Sequence, residues 1–211
     1  MKTTDNSRIS IQEPVTEQQL VVSLRPINIQ RIKIRLVGDS PLICNKWSEK
    51  AIKMILDKQM KKAKPGKEAK NPKEQYQDSL YKLPDDGGYG FPAIGFKSAA
   101  VTACSHVDGI TKVLARGSFH VIGELVKIDG KPRMRQDMVR VGMGVADIRF
   151  RGEFPTWACT LEVRYNANVV SAEQIVNLFN TAGFAVGVGE HRPEKDGSYG
   201  MFHVESEVKD V

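Results

Sequence analysis

Cysteine is scarce: Cys44, Cys104 and Cys159 are the only three in 211 residues. An odd number without paired spacing excludes a disulfide framework and points to a reducing cytoplasm. Long apolar runs are also missing, and none approaches the ~18 residues a membrane span needs. The opening MKTTDNSRISIQEPVTEQQ carries no apolar core of a secretory leader. The expectation is a cytoplasmic protein with no membrane partner. There is no Walker loop, dinucleotide fingerprint or nucleophile elbow, so no ATPase is expected. Cys104-Ser-His106 offers too few ligands for zinc, so neither metal nor cofactor is expected.

What is present is an ordinary globular composition, 41% hydrophobic and 27% charged. The length suits one elaborated domain whose core needs no staples. The net charge of +6 is unevenly spread. Nine lysines between Glu49 and Gln75 face Glu49, Asp57, Glu68 and Glu74, a local net of +5. Between Lys127 and Gly152 the local net is +4, which leaves the remainder at −3. Positive charge gathered in patches is what a polyanion-binding surface requires.

Residues 1–26, polar and closed by Pro14 and Pro26, read as a mobile arm, and 27–211 as a single domain. Ile27 to Leu36 nearly alternates apolar and polar residues, with a slip at Gln30-Arg31 that suggests a bulge. Gly38-Asp39-Ser40-Pro41 turns the chain. Ser48 caps a helix whose Ala51, Ile52, Ile55, Leu56 and Met60 line one side. Residues 61–74 read as a flexible lysine-rich piece of an insertion spanning about 48–83. Small residues from Ser98 to Cys104 predict a helix that packs closely on a sheet. Phe119 to Ile128 is β-rich and ends in Asp129-Gly130, a hairpin signal. Trp157 to Tyr165 alternates as a half-buried strand. Ser171-x-x-Gln174 predicts a capping box, with Ile175, Leu178, Phe179 and Ala182 on one helix face and Gly183 as its stop. Phe184–Val188 and Tyr199–Val204 read as strands. This order predicts an α+β fold, a ferredoxin- or RRM-like antiparallel sheet with helices on one face.

The stretch from Gly183 to Val204 holds the most specific chemistry. Gly187 and Gly189 let backbone approach a ligand, His191, Arg192 and Lys195 can meet phosphates, and Tyr199 can stack on a base. The alternative is a hairpin whose glycines serve only turns. Trp47, between Lys46 and Lys50, is either a stacking platform or a core tryptophan.

Phe91-Pro-Ala-Ile-Gly-Phe-Lys97, opening the small-residue helix, together with the late glycine-rich loop Gly187 to Gly200, resembles the RAMP superfamily of CRISPR proteins. The resemblance is strongest to the backbone subunits that polymerise along guide RNA, and a compact phage-type single-strand binding or annealing relative also fits. It implies RNA contact by Lys97 and by the loop. The segment about 127–152, with Lys131, Arg133, Arg135, Arg149 and Arg151, then reads as a projecting thumb against nucleic acid or a neighbouring subunit. A solvated basic loop is its alternative. Asp39 resembles in position the cleaving aspartate of some such subunits, but Gly38-Asp39-Ser40-Pro41 is also an ordinary turn. His191 resembles a general base, with no partner assignable beyond Glu190 and Tyr199, and a phosphate contact is its alternative. No catalytic residue is therefore assigned.

The sequence reading is a non-enzymatic protein that binds single-stranded RNA or DNA with little sequence readout and forms a homo-oligomer along it. A metal-independent ribonuclease and a basic protein-interaction module are the rivals.

Overall fold

A computed structural model describes residues 26–62, 69–84, 88–141 and 144–205. The expected N-terminal arm lies almost wholly outside these residues, as does the middle of the lysine-rich piece. In chain order the elements begin with β1 (Ile29–Gly38), β2 (Leu42–Cys44), α1 (Glu49–Gln59), α2 (Pro72–Asp78), β3 (Tyr81–Lys82), β4 (Tyr89–Pro92) and α3 (Ala93–Ala103). They continue with α4 (Lys112–Ser118), β5 (Phe119–Val121), β6 (Leu125–Asp129), β7 (Arg133–Val141), β8 (Val145–Phe154), β9 (Ala158–Asn166), α5 (Ala172–Ala185) and β10 (Phe202–Val204).

Two sheets organise the molecule. The larger runs β10-β1-β9-β6-β4-β3, with β5 also paired to β9, and every pairing is antiparallel. Its inner half, β10-β1-β9 and then β5 or β6, is the ferredoxin-like order in which two helices return the chain across one face. Alternation in β1 and β9 sends Ile34, Leu36, Cys159, Leu161 and Val163 inward, where they are buried with Phe96 and Ala100 of α3 and Leu178, Phe179 and Ala182 of α5. Alanine at 99, 100 and 103 brings α3 close, as its small residues predict. Burial keeps the three thiols inert: all are free, and desolvation pushes Cys44 and Cys159 up to about 12.

Helix starts follow their caps. Ser48 Oγ accepts from Ala51 N at 3.1 Å, and Ser171 with Gln174 forms the expected capping box. Beyond the caps, several expectations change. The β1–β9 register runs unbroken from Ile29↔Asn166 to Val37↔Ala158, so no bulge follows Gln30. Gln30 instead takes an inner-face position, where its Oε1 accepts from Tyr165 Oη at 2.8 Å. A polar partner at the sheet's end produced the apparent slip. The lysine-rich piece is helical at its end, since Asn71 caps α2 and Pro72 sits at its first turn. Helix α1 forms as read, yet none of its residues is buried. Its apolar side faces solvent.

Asp129-Gly130 is not a hairpin turn. β6 pairs with β4 and β9, whereas β7 pairs only with β8, so the dipeptide carries the chain from one sheet to the other. The smaller sheet is β2-β8-β7, with β7 and β8 paired from Arg133↔Glu153 to Val141↔Val145. Gly183 does not stop α5, which runs on to Ala185. Strand β10 crosses so closely that a Cβ at 183 would run into the Phe202 carbonyl oxygen. Phe184 and Ala185 therefore belong to the helix, and of the last two predicted strands only Phe202–Val204 forms. Trp157 makes a similar demand at Gly38, where its indole fills the space a side chain would need.

Candidate nucleic-acid interface

The glycine-rich loop folds on itself. Gly187, Gly189 and Gly200 take φ of +67°, +80° and +65°, which L side chains resist. The turns they allow are closed by Val188 N to Gly200 O at 2.9 Å, Glu190 N to Ile43 O at 3.0 Å and Tyr199 N to His191 O at 3.0 Å. Arg192 is engaged inside the loop: its Nη2 lies 2.7 Å from Glu194 and its Nη1 donates to Gly189 O at 3.1 Å. Lys195 is exposed on a short helical turn, Pro193–Lys195. Gly187 and Gly189, with Gly95 and Ser98 of α3, line a cleft of about 220 Å³. The two motifs singled out in the sequence thus face each other. Lys97 points elsewhere, donating to the Arg116 carbonyl at 3.0 Å.

The segment expected to form the thumb contains the β7–β8 hairpin, but its arginines are largely neutralised at its base. Arg133 reaches Glu153 at 2.6 Å, Arg135 reaches Asp137 at 2.7 Å and Glu153 at 2.9 Å, and Arg151 reaches Asp137 at 3.3 Å. Glu153, Asp137 and Arg151 are all buried. Burial opposes the Arg135 charge, but bonds to Asp137, Tyr199 and Glu153 outweigh it and push its pKa up. Its guanidinium also lies 4.6 Å from the Tyr199 ring centre, and Arg151 contacts His191 Nε2 at 3.3 Å. These groups fasten the hairpin to the glycine-rich loop, because unpaired charges there would be costly. Carboxylates supplied by Asp137, Glu153 and Glu190 were invisible as partners in a net-charge count.

A different set of site residues converges. Trp47 is 63% exposed, which removes the core alternative. It stands with Lys50, Arg149 and Arg151 around an open cleft of about 610 Å³ between α1, α2 and β8. Lys46 and Lys70 join them there. Lys70 holds Asp147 and donates to Ile148 O at 3.1 Å, and its bond to the Asp147 carboxylate keeps that group below its usual range. Arg149, half exposed, is 3.5 Å from the same carboxylate. The buried Nε of Arg151 has no hydrogen-bond partner among the described residues. An indole face and several cations around one opening can offer a stacking platform and donors to an anion. Sequence reading had joined Trp47 only to its neighbours, and Arg149 lies about a hundred residues away.

The open face of the larger sheet was missed altogether. Its outward positions carry Arg31, Lys33 and Arg35 from β1 and Arg164 from β9, set against Glu162 and Asp129. The signal was the polar half of each alternating strand. Those residues had read only as a wet face until β1 and β9 were placed side by side.

Asp39 and His191 are both occupied. Asp39 Oδ1 lies 2.6 Å from His203 Nδ1, and His191 contacts Arg151. Among the described residues no cluster of three or more His, Cys, Asp or Glu could hold a metal. Among the described residues no helix is long and apolar enough to cross a membrane.

No family model matches the chain, and no curated protein matches it. Among solved structures it is similar to the crystal structure of Cmr6 from Pyrococcus furiosus, at 11% identity and a TM-score of 0.44, over 85% of this chain and 100% of that one. At that score the likeness carries no argument, and function has to come from the chain's own residues.

Proposed function

We propose that the protein binds single-stranded nucleic acid with little sequence readout and assembles along it. The observation that carries the reading is the cleft where Trp47 stands open beside Lys46, Lys50, Lys70 and Arg149. Stacking accepts any base, and cations around it attract any backbone, so the combination gives affinity without a code. Lys97, Lys131 and Lys195 add positive charge outside the cleft. The motif resemblance to RAMP proteins points the same way.

Salt tests this directly. Affinity for a labelled single strand, followed by fluorescence anisotropy, is expected to fall steeply between ~50 and ~200 mM salt, with log K linear in log salt. A flat response would favour the protein-interaction rival. In the same samples RNA is expected to remain intact, for wild type and for Asp39→Ala and His191→Ala alike. Cleavage at defined positions that one of these variants abolished would establish the ribonuclease instead.

Assembly is supported by apolar surface on the hairpin. Met134 and Met138 share one face of β7, are 49% and 80% exposed, and lie opposite the ion-paired side. The apolar side of α1 is open as well. Two unlike patches on one chain suit a head-to-tail contact, which propagates as a filament or closes as a ring. Met134→Asp with Met138→Asp should leave the melting temperature nearly unchanged and reduce complexes on long strands to single copies, read by electron microscopy. Undiminished arrays would remove the hairpin from the contact.

A further inference from the structure

The open face of the larger sheet contains a row of hydrogen-bond donors that the cleft does not use. Pairing places His120 of β5 directly across from Arg164 of β9, and Arg164 directly across from Arg31 of β1. Residues so paired share a face and lie about 5 Å apart. Lys97 joins the row from α3, its Nζ 3.0 Å from His120 Nδ1.

The chemistry of that contact fixes the histidine's state. An ammonium can only donate, so Nδ1 accepts and the remaining proton sits on Nε2. His120 is exposed, and its outward nitrogen is therefore another donor. The charged groups facing the ring are Lys97 from α3, Arg164 from β9, and one strand further Arg31 with its partner Glu162 at 3.2 Å. From α4 comes the Arg116 carbonyl, which accepts from Lys97. Glu162 is the single carboxylate in this set, and Arg31 already engages it. Desolvation, then Lys97, then Arg164, lower the His120 pKa from its ordinary value, and desolvation lowers that of Lys97. Empty, the row is a concentration of donors and positive charge with little to answer it.

We propose that Lys97, His120, Arg164 and Arg31 form a seat for one backbone phosphate, and that filling the seat draws a proton from solvent onto His120. The proposal rests on the single-strand reading above. A phosphate beside the ring adds the negative charge the empty site lacks, which favours the imidazolium. The incoming proton goes to Nδ1, so Nδ1 stops accepting from Lys97. The freed ammonium turns to the phosphate, where Nε2–H and the two guanidinium groups also donate. Each imidazole that becomes charged takes its proton from solvent, so the average uptake per phosphate seated is a fraction of a proton set by the pH. Because the bound state holds more protons than the free state, affinity rises as pH falls through the ordinary histidine range near ~6.5.

The test is binding of a short labelled single strand by full-length protein between pH 8.5 and 5.5 at constant salt. Calorimetry in buffers of different ionisation heat counts the protons. Wild-type affinity is expected to rise about three- to tenfold from the alkaline to the acid end, with an uptake that peaks at about a quarter to a half of a proton between, as a shift of up to one pKa unit requires. His120→Gln should keep its melting temperature, and lose both the pH response and the uptake. Arg164→Gln should weaken binding about tenfold at every pH. Binding without pH dependence, or a pH response surviving in His120→Gln, would overturn the seat while leaving the single-strand reading intact. No binding at any pH would overturn that reading itself.

Discussion

Trp47→Ala combined with Arg149→Ala should weaken single-strand binding about a hundredfold at ~0.1 M salt. Base stacking on an aromatic contributes ~1–3 kcal/mol, and a charge-assisted contact to phosphate adds a comparable amount. Both side chains stand substantially in solvent, so the melting temperature should stay within about 2 °C of wild type, the small effect of surface changes. Two further measurements separate the contributions. Trp47→Phe should recover most of the stacking. Arg149→Ala alone should flatten the salt slope by about 0.7, one phosphate on a single strand. If the double variant bound like wild type, the cleft would play no part in binding.

Gly183→Ala should destabilise the fold by about 2–4 kcal/mol and lower the melting temperature by roughly 5–15 °C. The sign opposes local propensity, which favours alanine over glycine inside a helix by about 1 kcal/mol. The methyl has no room because the Phe202 carbonyl already occupies its place. Either α5 must lift from the sheet or β10 must leave β1, and Phe202 and Phe179 sit fully buried at that junction. Thermal melting of Gly183→Ala beside an exposed control, Gly117→Ala, where nothing lies near the added methyl, makes the comparison. A variant as stable as wild type would show that this crossing can relax.

These predictions concern residues that were legible in the sequence to different degrees. Trp47 and Arg149 were each recognisable as binding residue types, but nothing local joined them. Gly183 was recognisable as special, but for the wrong reason: a glycine after a helical pattern normally stops it, and here it sits beneath a strand from elsewhere in the chain. His120, Arg164 and Arg31 carried almost no signal, because an exposed polar residue in an alternating strand has no stated neighbour until the sheet order is known.

By itself, the sequence determined the period-2 strands of β1 and β9, the capped helices α1 and α5, the close packing of α3, the unpaired thiols and the α+β class. All of these follow from interactions within a few residues, through alternation, caps and side-chain size. Tertiary structure alone decided that Asp129-Gly130 crosses between sheets and that the hairpin's arginines are matched by Asp137 and Glu153. It also decided which cations gather around Trp47 and along the sheet. Charge acts through space rather than along the chain, so whether a cation can meet a ligand depends on which carboxylates the fold brings within a few ångströms of it.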